Sequence, residues 1–148
     1  MRTIYVLLFL LLLSLCSVLL PSNSRAFTGV KSDIHLTSTT LKPGAKGEIV
    51  VSFAPKEGIH INTDPAIEFE FEKDTLVHFT GVASMSKVEK TGYLDTKRPI
   101  KYSFTLDKNI SKGKHTLKGS VQYFFCSDTE GWCNRSSQPI QLTFTVIQ

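Results

Sequence analysis

The chain has 148 residues, 17 basic and 13 acidic side chains and a formal net charge of +4, with 41% hydrophobic residues and three cysteines. That length makes one domain, large enough for a core that does not depend on disulfides. The positive charge gathers into no basic stripe, which argues against nucleic acid as a partner.

The first 26 residues, MRTIYVLLFLLLLSLCSVLLPSNSRA, read as a secretory signal: Arg2, an apolar run from Ile4 to Leu20, a polar stretch, then the small residues Ser24 and Ala26 at the −3 and −1 sites for cleavage. Cleavage after Ala26 leaves residues 27–148 as one exported domain, periplasmic or otherwise secreted. Without the two arginines of the signal, that domain's net charge falls to +2. Two alternatives stand beside cleavage. The apolar run is at the short limit for a membrane anchor. Lipidation at Cys16 is the other, although Leu15 is bulky where a lipoprotein signal prefers a small residue. Membrane contact is expected only through this segment.

Beyond it the chain reads as β almost throughout. In order come IHLTS (34–38), EIVVSF (48–53), GIHIN (58–62), AIEFEFE (66–72), LVHFTGVA (76–83), IKYSFTL (100–106), HTLKGSVQYFF (115–125) and IQLTFTVI (140–147). Several alternate with period two, as Ile67, Phe69 and Phe71 do against Glu68, Glu70 and Glu72, which gives one buried and one wet face. Turn signals such as Lys42-Pro43-Gly44, Pro55-Lys56-Glu57-Gly58 and Ser111-Lys112-Gly113 separate the runs. No run carries a 3.6-residue apolar period. The expectation is an all-β fold: an immunoglobulin-like antiparallel β-sandwich of seven to eight strands.

With Cys16 removed, the mature domain holds Cys126 and Cys133, and an oxidising compartment pairs them. They flank the polar loop Ser127-Asp128-Thr129-Glu130-Gly131-Trp132, with Cys126 closing a strand and Cys133 just beyond the loop. A hairpin-like excursion there brings them within bonding range near the surface. Neither the Cys-x-x-Cys spacing nor the helix of thioredoxin-type sites is present. Closing about eight residues is worth roughly 2.5 kcal/mol in the chain-entropy model, at the low end for a staple. Tyr123, Phe124, Phe125 and Trp132 crowd the loop, and with period-two alternation Phe124 and Phe125 cannot both face the core. The residues leave two readings open: a structural staple, or a dithiol that exchanges its bond.

From about Leu41 onward the chain resembles the N-terminal periplasmic domain of the thiol:disulfide interchange protein DsbD. The stretches that carry the resemblance are LKPGAKGEIVVSFAPKEGIHIN (41–62) and KGKHTLKGSVQYFFCSDTEGWCNRSSQPIQLTFTV (112–146). The resemblance implies an immunoglobulin-like fold with a redox-active Cys126–Cys133 disulfide, fed by a membrane electron donor and passing electrons to thioredoxin-like periplasmic proteins. It implies Cys133 as the attacking sulfur and Cys126 as the resolving one. It also implies an aromatic cap over the disulfide, for which Tyr93 in the loop 90–95 is the candidate, with Phe124 and Trp132 as further cover. The chain carries neither a membrane conduit nor a thioredoxin-like domain, so the resemblance points to a stand-alone module served by a separate donor.

His60, His78 and His115 together with the cysteines match no standard zinc spacing, so no metal and no cofactor is expected. His60 is expected to satisfy a backbone group. Glu68, Glu70 and Glu72 are expected to form one wet sheet face. The rival to the exchange module is a non-catalytic immunoglobulin-like binding or structural domain with a small staple.

Overall fold

The computed structural model describes residues 29–73 and 76–148. The signal segment, its cleavage site after Ala26 and Cys16 lie outside the described residues.

Nine strands form among these residues: β1 Val30–Leu36, β2 Thr40–Leu41, β3 Lys46–Pro55, β4 Ile59–Ile61, β5 Glu68–Phe71, β6 Val77–Phe79, β7 Ile100–Leu106, β8 Gly113–Ser127 and β9 Trp132–Val146. They build two layers. One sheet runs β1-β3-β7-β6; the other runs β2-β9-β8-β4, with β5 also paired to β8. The fold is an all-β, immunoglobulin-like sandwich. Its pairings are antiparallel except for the two-residue contact of β2 with β9, which is parallel.

The alternation seen in the sequence becomes the core. Ile49, Val51 and Phe53 of β3 and Ile100, Phe104 and Leu106 of β7 face Leu117, Val121, Tyr123 and Phe125 of β8 and Ile140, Leu142 and Phe144 of β9, all buried. Phe53 meets Tyr123 edge-on across the layers, with ring centroids 4.7 Å apart. Glu68, Glu70 and Glu72 are exposed, while Phe69 and Phe71 between them are half-buried.

Three elements differ from the sequence expectation. The run 76–83 pairs only over Val77–Phe79, and Gly81 beyond it adopts a φ of +73°, which takes the chain out of the extended region. The strand around IHLTS begins earlier, at Val30, and the chain then forms the short β2. The largest difference is β9. It starts at Trp132 rather than near Ile140, so NRSSQP is strand and both cysteines lie inside strands. Pro139 is tolerated there because the flank of β9 away from β8 is paired only at Thr145 and Val146.

β8 and β9 are each fifteen residues long and pair in one unbroken register from Gly113↔Val146 to Ser127↔Trp132. This ladder closes the same loop that the disulfide would close, so the covalent bond adds constraint to a hairpin already formed. Reduction, or the double change of Cys126 and Cys133 to serine, should therefore leave the domain folded and lower its stability by no more than about 2.5 kcal/mol. Urea unfolding of the oxidised and reduced forms measures this. A reduced form that is unfolded at room temperature would contradict it.

Candidate functional site

The site grows from the end of the β8–β9 hairpin. Asp128, Thr129, Glu130 and Gly131 make the connection. The backbone N–H of Gly131 donates to the carbonyl of Ser127 at 2.9 Å, and that of Glu130 donates to Ser127 Oγ at 3.2 Å. Gly131 takes a φ of +69°, a conformation a side chain resists. The turn thus fixes the register in which Cys126 stands directly opposite Cys133, with their Cα atoms 4.1 Å apart and their sulfurs bonded.

Alternation then sorts the side chains. Tyr123 and Phe125 point to the core, so Phe124 and Cys126 point to the outer face of the sheet. Opposed residues share a face, which places Cys133 and Arg135 on the outer face too. The two cysteines are unequal. Cys126 is only 5% exposed, whereas Cys133 is open to solvent.

On the far side of β8 from Cys133 lies β4, paired so that His60 stands opposite Cys126. Outer-face side chains in this row therefore run His60, Cys126, Cys133 across three neighbouring strands. Among the described residues no backbone group bonds the His60 ring, where the sequence reading expected one. Its Nδ1 lies 3.4 Å from a carboxylate oxygen of Asp128, and its ring stacks on Tyr93 with centroids 3.6 Å apart and planes 12° from parallel.

Tyr93 arrives on a small hairpin. The N–H of Val88 donates to the carbonyl of Tyr93, the N–H of Asp95 to that of Ser86, and Gly92 at the bend has a φ of +71°. This hairpin is tied to the β4 region twice: the N–H of Leu94 donates to Ile61 O at 2.9 Å, and Thr63 Oγ1 donates to Gly92 O at 2.6 Å. The Tyr93 hydroxyl reaches Asp128 Oδ1 at 3.4 Å. Partial desolvation, then the negative charge of Asp128, then that hydrogen bond raise the Tyr93 pKa above the ordinary tyrosine value. The phenol therefore remains a donor through neutral pH. Because the folded-state pKa is raised, whatever the contact contributes is fully present below about pH 10 and is lost only as pH climbs past it.

The sequence-derived candidates thus separate. Cys126 and Cys133 are bonded, and Tyr93 is brought to the same row through His60. Phe124 is half-buried on the same face as the sulfurs, opposite Arg135, whose Nη2 donates to Gln122 Oε1. Trp132 stands on the other face, packing edge-on against Phe125 with centroids 5.8 Å apart. His60 and Asp128 are the members that sequence reasoning did not place in the site. The GIHIN stretch carried the signal, but only the β4–β8 register shows what His60 faces. His78 lies instead beside Asp107, and His115 stacks on Phe144. Among the described residues no three His, Cys, Asp or Glu side chains come together as a metal site.

No protein-family model matches the chain, and no curated protein does. Among solved structures, the fold is similar to AggA, the major subunit of aggregative adherence fimbriae type I from Escherichia coli, at 12% identity and a TM-score of 0.44, over 80% of this chain and 95% of that one. It is also similar to a chain of a type I cohesin–dockerin complex from Clostridium thermocellum, at 14% identity and a TM-score of 0.38, over 79% and 99%. At these identities the likeness concerns the fold alone.

The stacked, hydrogen-bonded position of Tyr93 generates a test. Tyr93→Ala should speed reduction of the disulfide by dithiothreitol several-fold, and Tyr93→Phe, which keeps the stack, should do so less. Neither should move the reduction potential much, because a cover alters access more than the energy of the bond. Unchanged rates in the alanine variant would remove Tyr93 from the role of cap.

Proposed function

We propose that the domain is an exported thiol–disulfide exchange module that carries electrons through the Cys126–Cys133 pair, as the resemblance to the DsbD N-terminal domain implies. One observation supports the reading: the bond lies across a hairpin that its own ladder already closes, with one cysteine buried and the other exposed. A staple has no need of that asymmetry. An exchanging pair uses it, since the exposed cysteine meets the partner while the buried one waits to resolve the mixed disulfide.

In the reduced domain, the Cys133 thiolate attacks the disulfide of a thioredoxin-like client, and one client sulfur leaves as a thiolate. Cys126 then attacks Cys133 Sγ, the intramolecular bond re-forms, and the second client sulfur departs reduced. A membrane electron donor reverses the sequence to reload the domain. The enzyme class is protein-disulfide reductase, with no cofactor beyond the two cysteines. Export, to the periplasm or otherwise beyond the cytoplasm, is the localisation that the signal-like segment 1–26 supports.

Trapping tests this directly. With Cys126→Ser, Cys133 should capture an oxidised thioredoxin-like protein as a mixed disulfide on a non-reducing gel; with Cys133→Ser, capture should be far weaker. Equal capture by both would overturn the assignment of Cys133 as the attacking sulfur. Absence of capture by either, across several such clients, would favour the binding or structural domain with a staple.

A further inference from the structure

The row His60, Cys126, Cys133 contains one group that the exchange chemistry above has not used. Cys126 is buried and must lose a proton before it can attack Cys133 Sγ. Burial disfavours the thiolate, so the resolving step is slow unless a base accepts that proton. His60 is the cross-strand neighbour of Cys126 on the same face, and such neighbours have Cβ atoms roughly 5 Å apart. Its ring is held on two sides. Asp128 lies at Nδ1 and Tyr93 covers one face, and no hydrogen bond occupies Nε2 among the described residues. The carboxylate beside Nδ1 favours a proton on that nitrogen, and the neutral ring then presents Nε2 as an acceptor.

We infer that His60 is the proton-transfer partner of Cys126 in the resolving step. The inference rests on the exchange reading. The Cys126 thiol gives its proton to His60 and attacks Cys133 Sγ. The Cys126–Cys133 bond forms, the bond from Cys133 to the client breaks, and the client thiolate leaves with the electron pair and takes a proton from the imidazolium or from water. The domain is oxidised by two electrons and the client reduced by two. Reloading runs the same path backward, with the imidazolium protonating Cys126 as it leaves. Asp128 from the hairpin turn and Tyr93 from the hairpin 86–95 are the titratable groups seen to face the ring besides Cys126 itself. Both sit on the segments that a docking client would touch.

The probe is 5,5′-dithiobis(2-nitrobenzoate) mixed with the reduced full chain, followed by stopped-flow absorbance. Attack by Cys133 releases the first coloured thiolate, and closure by Cys126 releases the second. In the wild type the second phase should level off below the range in which a thiol ionises on its own, ordinarily near pH 8.5. In His60→Gln it should be at least about tenfold slower at pH 7 and climb with pH until it meets the wild-type rate in alkali, where the thiol needs no base. A first phase unchanged in rate locates the effect in closure. The proposal fails if His60→Gln closes at the wild-type rate at pH 7, or is slowed equally at every pH as a packing defect would be. It fails independently of the variant if wild-type closure tracks thiol ionisation to alkaline pH without levelling. Absence of any second phase in the wild type would instead remove the exchange reading, and this inference with it.

Discussion

The pairing of β8 with β9 is the constraint on which the site depends. A one-residue slip in an antiparallel pair sends every side chain of one strand to the other face. Here that slip would turn Cys133 toward Phe125 and the core and bring Trp132 out in its place. The register is held at one end by the turn, where Ser127 accepts from Glu130 and Gly131 and where Gly131 adopts a positive φ. Along its length it is held by the buried set Leu117, Val121, Tyr123, Phe125, Ile140, Leu142 and Phe144. The tyrosine adds a polar check. Gln138 Nε2 donates to Tyr123 Oη at 2.9 Å from the core-side face of β9. The disulfide is therefore a consequence of the fold rather than its cause, which leaves it free to open without dismantling the sheet.

The same register assembles a site from three separate stretches of chain. β4 contributes His60, the hairpin end contributes Cys126, Cys133 and Asp128, and the segment after β6 contributes Tyr93. Asp128 joins the other two, approaching the imidazole and the phenol at 3.4 Å each. It is exposed, so neither contact is strong alone. Their value lies in position: the acid sits on the turn that carries the cysteines, so any displacement of the turn disturbs the phenol and the imidazole together.

Where local pattern and tertiary environment agreed, the fold was legible from the sequence. IKYSFTL alternates cleanly and is β7 from Ile100 to Leu106. WCNRSSQP has weak strand propensity and an internal proline, yet is strand because β8 offers it a complete partner, an effect of context that no local pattern carries. The converse holds at Gly81, where an apolar run ends in a bend. The cysteine pair was legible because two thiols bracket a turn. The place of His60 was not, because residues 60 and 126 meet only through a long-range register. Tyr93 was singled out by resemblance, but its stacking on His60 and its bond to Asp128 depend on how the hairpin that carries it docks on β4. Trp132 precedes Cys133 by one residue and Phe124 precedes Cys126 by two, so alternation along each strand puts them on opposite faces.

The central claim is that this bond cycles, and its reduction potential tests that most directly. Equilibrating the purified domain with glutathione or dithiothreitol buffers and quantifying free thiols gives the value. A pair that exchanges with thioredoxin-like proteins should titrate between about −120 and −300 mV, the span of known exchange proteins and their partners. A potential well below about −300 mV, where structural disulfides lie, would contradict the account.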